Sequence, residues 1–339
     1  MASPSAMFII IIFVILGLNN LSYQTSSQTI PYEDIVRIFD NWMFKYARVY
    51  KDLAEKEMRF TIFKENAELV EAFSRGGNKG FNLTLNNFAD LTDEEFQDFY
   101  TGYSKSSKAY SPGMSMAKND TFFKYANLES VPSSIDWRKK GAVTPVKDQG
   151  QCGSCYAFSA VAAVEGIAYI TRGKLVSLSE QEIVDCDHDD HGCNKGSMQN
   201  NGITAESDYS YTSEQGTCQN SDVNHAAVRI NGYQNVPQNS EADLLKAVAN
   251  QPVSVAVDSR DYRFRFYSSG VFNAGCGTQC DHALTIVGYG ANGNGVKYWI
   301  VKNSWGTGWG EGGYGYFIRD VADPRGICGI ATDASFPTI

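Results

Sequence analysis

The feature that most limits what this chain can fold into is the stretch Ser154–Thr171. Its segment AFSAVAAVEGIAYI is small and apolar on almost every side. A helix without a polar face must be enclosed on all sides, so other layers have to wrap it. A cysteine stands at its head, in Gln149-Gly150-Gln151-Cys152-Gly153-Ser154-Cys155-Tyr156-Ala157-Phe158-Ser159. The first turn of a helix carries unpaired N–H groups and partial positive charge, which favour a thiolate over a thiol. The buried helix therefore presents a candidate nucleophile.

Upstream, residues 32–75 read as helix, with Ile35, Ile38, Phe39 and Trp42, then Met58, Ile62, Leu69 and Phe73, at helical spacing. Leu83–Phe99 reads as a short extended piece and then a helix, opened by a capping box of Thr92 with Glu95. Residues 101–118 have linker composition. Downstream, Ser179 with Glu182 repeats the box before another helix. From Pro252 the period shifts to strands, in PVSVAV, HALTIVGYG, KYWIVKNSW and YGYFIRD. This is an α+β order, a mainly helical half followed by a mainly β half. The glycines of GYGANGNG lie between strands and read as a hairpin loop, because a dinucleotide fingerprint needs a helix next.

The 339 residues suggest about two units of average domain size. With 43% apolar and 20% charged residues the chain can bury a core, which excludes wholesale disorder. A net charge of −9 argues against a nucleic-acid partner. Met7–Leu18 is apolar, uncharged and shorter than the roughly 17–25 residues of a membrane span. It suits the core of a signal peptide, although Met1–Ala6 lacks Lys and Arg. Residues 1–24 are thus expected to be a signal peptide, with no stable membrane anchor. Entry into the secretory pathway, toward a vacuolar or lysosomal lumen or the cell exterior, makes disulfides the default reading of the eight cysteines. Asn82-Leu83-Thr84 and Asn119-Asp120-Thr121 are then candidate glycosylation sites.

A cysteine nucleophile needs a base and a group to orient that base. His282 lies 127 residues after Cys155, in Cys280-Asp281-His282-Ala283 at the start of a strand. Asn303 lies 148 residues after it, in Lys302-Asn303-Ser304-Trp305-Gly306. The motif around Cys155, with His and Asn at those distances, resembles the papain-like cysteine peptidase precursors of plants; the signature is a known one. Asp136-Trp137-Arg138 and Gly326-Ile327-Cys328-Gly329-Ile330 extend the resemblance. So do Glu55, Arg59, Phe63, Asn66, Val70 and Ser74, on the interspersed helical motif of the family's propeptides, and Asn86, Phe88 and Asp90 on the short motif that follows.

The resemblance implies a two-lobed fold: a helical left domain, a β-barrel-like right domain, the active-site cleft between them, and a helical propeptide. Residues 25–127 would be an inhibitory propeptide running backwards through the cleft. Residues 128–339 would be the peptidase, about 128–240 mainly helical and about 241–339 mainly β. It implies an endopeptidase made as a zymogen, without cofactor or metal, acting on protein or peptide substrates, monomeric, inhibited by its own propeptide and by cystatin-type proteins. Cys155, His282 and Asn303 would be catalytic, Gln149 would form the oxyanion hole with the Cys155 N–H, and Trp305 would shield the His–Asn pair. Gly196, Met198, Ala256, Ala283 and Asp333 would bind substrate, the acidic Asp333 favouring a basic side chain. The implied disulfides are Cys152–Cys193, Cys186–Cys218 and Cys276–Cys328. Cys280 is left over, read as a small apolar filler rather than a redox switch.

Cys186-Asp187-His188-Asp189-Asp190-His191-Gly192-Cys193 mimics a zinc site, but an oxidising compartment favours disulfides with an acidic loop. Asp90, Glu94 and Glu95, if ion-paired in the proform, would lose that stabilisation as pH falls. Three departures stand out. Tyr156 replaces the family's Trp, and Lys195 replaces a Gly. Only 24 residues separate Cys193 from Cys218, roughly eight fewer than in the family, or about two helical turns. A helix after Met198 is missing, which leaves a binding-only homologue as the alternative to an enzyme.

Overall fold

A computed structural model describes residues 30–77, 79–104, 122–187, 192–193, 202–219 and 226–339. The linker tract beyond Ser104, His188, His191 and His225, and the stretch 194–201 that holds Lys195, Gly196 and Met198, lie outside the described residues, as do Met7–Leu18 and Asn119.

The N-terminal region is a helical hairpin. α1 (Tyr32–Lys45) buries Ile35, Phe39 and Trp42 on one stripe. α2 (Leu53–Arg75) starts at Asp52, whose side chain accepts the Glu55 N–H. Phe39, Trp42 and Phe63 pack ring against ring between the two helices, each worth about 1.5–3 kcal/mol of burial. The expected continuous helix over 32–75 is thus two helices. The break falls at Ala47, whose φ is +50°, and it lets Arg48 swing out to the Asn87 carbonyl and the Asp90 carboxylate. β1 (Phe81–Leu83) follows, then α3 (Asp93–Tyr100), which is opened by the expected box: Thr92 accepts the Glu95 N–H and Glu95 accepts the Thr92 N–H.

After β2 (Ile135–Asp136), α4 (Cys155–Arg172) runs through the middle of the molecule. Its face with Tyr156, Val161, Val164 and Ala168 packs on α5 (Glu180–Cys186), β3 (Gly202–Ile203) and β4 (Val228–Arg229). Its other side lies on the large sheet, so it is enclosed as an all-apolar helix must be. The sheet takes β5 (Gly232–Asn235), β6 (Val253–Val257), β7 (Tyr267–Phe272), β8 (His282–Ala291), β9 (Lys297–Lys302), β10 (Tyr314–Ile318) and β11 (Ala334–Thr338). Helices α6 (Glu241–Asn250) and α7 (Tyr262–Arg265) lie among them. The strand order is β1-β7-β10-β9-β8-β6-β11-β5, with β2 on β8, an open path that does not close into a barrel. β2 and β5 join this sheet from the N-terminal side of residue 240, and β1 adds to its edge by pairing with β7. The fold is α+β and two-lobed, with a helical prosegment.

Candidate active site

α4 opens at Cys155, β8 opens at His282, and Asn303 follows directly on β9. Because β8 and β9 are antiparallel neighbours with Thr285 opposite Lys302, His282 and Asn303 come out at the same edge. His282 Nε2 and Asn303 Oδ1 are 2.9 Å apart. Asn303 Oδ1 also accepts the Ser304 N–H at 2.8 Å, which turns the amide oxygen toward the ring. The hydrogen on His282 then belongs on Nε2, and Nδ1, which has no hydrogen-bond partner, keeps its lone pair. Trp305 stacks on the imidazole, centroids 4.3 Å apart and planes 22° apart.

Cys155 and His282 are both fully buried. Burial pushes the Cys155 thiol up to about 12, against the smaller opposite pull of the Ala283, Gly102 and Tyr156 amides. Burial also pushes His282 down to about 4, although the bond to Asn303 favours its charged form. The closed protein holds both the thiol and the imidazole in their neutral forms.

Part of the cover over the pair comes from the residues ahead of the peptidase domain. The Tyr100 carbonyl accepts the Trp305 indole N–H at 3.1 Å and the Gln149 amide at 3.3 Å. Gln149 is held from its other end by Ser304 Oγ, which donates to Oε1 at 2.6 Å. The Gly102 and Tyr103 N–H groups donate to the Asp281 carbonyl. A Cβ on Gly102 would sit 1.8 Å from the Gly153 carbonyl oxygen, so only glycine lets the strap cross there. Tyr103 then drops into a pocket with Cys155, Ala256, Ala283 and Cys280, and its hydroxyl donates to Asp333 Oδ2 at 2.6 Å. Ala256 pairs with Ala283 across β6 and β8, and its N–H donates to the Asp333 carbonyl at 3.0 Å. Ala256, Ala283 and Asp333 are thus brought together, with Tyr103 among them.

The prosegment is anchored further out by Arg265, only 2% exposed. It donates to Asn66 Oδ1 at 2.9 Å and to the Thr92 carbonyl at 3.2 Å, and pairs with Asp93 at 3.0 Å. Asn66 in turn donates to the Ala89 and Leu91 carbonyls, and Asn86 donates to the Arg265 carbonyl at 2.7 Å. Arg59 donates to Glu95 at 2.6 Å. Buried alone, the Glu95 carboxyl would move up, but Arg59 and the Thr92 N–H hold it below its usual range. Asp90 behaves the other way: burial raises it despite Arg48 and the Tyr50 hydroxyl, so the expected acid-labile pairing does not apply to Asp90. Glu94 is exposed.

Disulfides join Cys152 to Cys193, Cys186 to Cys218 and Cys276 to Cys328. Cys186 and Cys193 are therefore not free thiolates, which removes two of the four ligands of the zinc-like run. Cys155 and Cys280 are free. Sequence reasoning missed Tyr103, whose neighbours have linker composition, and Ser304, whose only signal was its place beside Asn303. It also missed the buried cluster in which Lys147 donates to Glu165 at 3.2 Å and to Glu180 at 2.7 Å.

Residues 131–338 match the papain family cysteine protease domain, and residues 39–96 match the cathepsin propeptide inhibitor domain. The senescence-specific cysteine protease SAG12 of Arabidopsis thaliana is 50% identical, over 88% of this chain and 88% of its own. Vignain of Ricinus communis is also 50% identical, over 90% of this chain and 86% of its own. Among solved structures, the recombinant stem bromelain precursor is 42% identical with a TM-score of 0.81, covering 90% of this chain and 99% of its own. The proform of the ragweed pollen allergen Amb a 11 is 38% identical with a TM-score of 0.81, covering 94% of this chain and 98% of its own. The shared geometry, prosegment included, settles the class: the chain belongs to the papain family of cysteine proteases, an endopeptidase made as a zymogen with its own inhibitory domain.

Proposed function

We propose that Cys155 is the nucleophile, His282 its base and acid, Asn303 the group that orients His282, and Trp305 the cover over their hydrogen bond. The single observation that carries this is the buried His282–Asn303 pair under Trp305, its second ring nitrogen unpartnered, at the edge where the head of α4 presents Cys155. In the open cleft the Cys155 thiolate adds to the scissile carbonyl, forming the S–C bond and an oxyanion that the Gln149 amide and the Cys155 N–H stabilise. His282 gives its proton to the departing amine as the C–N bond breaks. Water, deprotonated by His282, then hydrolyses the thioester and returns the thiol.

Gly196, Met198, Ala256, Ala283 and Asp333 form the substrate pocket in this reading. Tyr103 fills it in the zymogen, its hydroxyl standing where a basic or phenolic substrate side chain would meet Asp333. The chain divides into a signal peptide (1–24), a propeptide (25–127) and a peptidase (128–339), and works as a monomer in the lumen of an acidic secretory compartment or outside the cell. Three disulfides agree with that setting. Cystatin-type proteins are the expected inhibitors in trans. Self-processing falls near Leu128–Val131, in the exposed run Ala126–Ser130.

The test is incubation at about pH 4–5 followed by labelling with a thiol-directed epoxide. Stoichiometric reaction at Cys155, with hydrolysis abolished in Cys155→Ser, supports the assignment. A folded, processed protein that neither labels nor hydrolyses would support the binding-only alternative raised by the short Cys193–Cys218 interval.

A further inference from the structure

The two donors assigned to the oxyanion hole stand at either end of one loop. From inside, the Cys152 carbonyl links those ends, accepting the Gln149 side-chain amide at 2.8 Å and the Ser154 N–H at 2.7 Å; from outside, one distant hydroxyl links them again. Tyr211 Oη donates to the Gln149 carbonyl at 2.8 Å and lies 2.6 Å from Ser154 Oγ. A phenol has one hydrogen. With that hydrogen given to Gln149, the Ser154 hydroxyl is the donor in the second bond. The relay therefore runs Ser154 O–H to Tyr211 Oη–H to the Gln149 carbonyl. Ser154 directly precedes the Cys155 N–H, and Gln149 carries the side-chain amide.

The loop between them is loose by composition: it contains Gly150, with φ +59°, and Gly153. The Cys152–Cys193 bond fixes its middle, but the Cys152 carbonyl would release the Gln149 amide once that amide turns to an oxyanion, whereas the Tyr211 bond to the Gln149 backbone carbonyl would remain. Tyr211 is itself firmly placed. Its ring meets Phe158, one turn into α4, edge to face at 4.8 Å, and its N–H donates to Glu206 Oε1 at 2.9 Å. Burial pushes its phenol above the ordinary range, so it remains a donor wherever the enzyme works.

We propose that Tyr211 is a positioning residue for the oxyanion hole: it helps to hold the distance between the Gln149 amide and the Cys155 N–H without touching substrate. This rests on the roles given to Gln149 and Cys155 above. Removing a whole donor typically costs about 100- to 1000-fold in rate. Misplacing two donors by a fraction of an ångström should cost less, about 10-fold.

The experiment uses the activated wild type, Tyr211→Phe, Gln149→Ala and the double variant. For Tyr211→Phe, kcat on a peptide amide is expected to fall about 10-fold with KM nearly unchanged. Alkylation of Cys155 by iodoacetamide, which displaces iodide without forming an oxyanion, is expected to keep the wild-type rate. In the Gln149→Ala background, Tyr211→Phe should add little further loss. An unchanged kcat overturns the inference. So does a parallel fall in kcat and alkylation, which would mean only a loosened helix head, and so does full additivity with Gln149→Ala. If Gln149→Ala is itself silent, the oxyanion-hole assignment fails and this inference goes with it.

Discussion

Removing the prosegment should change the charge state of the proposed catalytic pair, Cys155 and His282, as well as its accessibility. In the closed protein burial sets the Cys155 thiol at about 12 and His282 at about 4. Moving the proton from sulphur to nitrogen then costs about 11 kcal/mol before the two charges attract each other. Their attraction at contact returns about 4 kcal/mol for a protein-like dielectric. The ion pair is disfavoured by about 7 kcal/mol, and roughly one molecule in 100,000 carries it. With ordinary values near 9 and 6.5, the same transfer costs only about 3–4 kcal/mol. Attraction of similar size cancels that, and the positive end of α4 tips the balance toward the thiolate.

The assay is the ultraviolet absorbance of the thiolate, read as the difference between wild type and Cys155→Ser so that Cys280 cancels. The proform should show no Cys155 thiolate between about pH 6 and 9, and the activated enzyme should show one across that range. A proform thiolate signal equal to that of the mature enzyme at neutral pH would refute the reasoning, and the prosegment would then act by obstruction alone.

Arg265→Ala removes an anchor whose side chain reaches only prosegment groups by hydrogen bond and ion pair. About 3 kcal/mol of hold should be lost, some 100-fold in the proform opening equilibrium, measured as faster processing at fixed pH with kcat/KM of the mature enzyme retained. Tyr103→Phe keeps the ring in its pocket but leaves Asp333 without the 2.6 Å hydroxyl. Processing should quicken by about 5-fold, and an unchanged rate would mean that the ring alone seats the strap. Lys147→Met leaves Glu165 and Glu180, both buried, without the ammonium that donates to each of them. Thermal unfolding in a Cys155→Ser background should show a loss of about 3–5 kcal/mol.

What the sequence makes legible here is what local chemistry decides. The enclosed α4 follows from its lack of a polar face, and the Thr92–Glu95 box closes as written because both its bonds lie within one turn. The Ser179–Glu182 box forms only half. Ser179 caps the helix, but Glu182 turns away to take the N–H and hydroxyl of Thr204, both at 2.7 Å. A buried tertiary partner outcompetes the local one. Glu165, a lone acid in an apolar helix, carries no sign that Lys147 awaits it 18 positions away. Tyr103 is further out of reach, since its partner Asp333 lies 230 residues on and its neighbours are those of a linker. Cys155, His282 and Asn303 are readable from spacing only because a known signature links them; the strand register that brings His282 to Asn303 is not.

The same buried groups decide how acid opens the zymogen. In the closed form burial keeps His282 neutral down to about pH 4. On release the proton it gains is the one Cys155 gives up, so opening takes no proton from solvent until the thiolate itself protonates. Asp281, whose carbonyl accepts the Gly102 and Tyr103 amides, favours closure in acid. Burial raises its carboxyl to about 6, above the ordinary 3.8, and the part of that burial which the strap supplies strengthens closure as pH falls through that range. Asp90, also raised by burial, resists opening as well. Glu95 does not: its bond to Arg59 keeps it ionised in the closed form, and that stabilisation goes only as pH drops below the ordinary glutamate value of 4.5. With Asp281 and Asp90 both favouring closure, the strap is expected to stay shut until Glu95 begins to protonate, which predicts processing at about pH 4–5 rather than a unit or more higher.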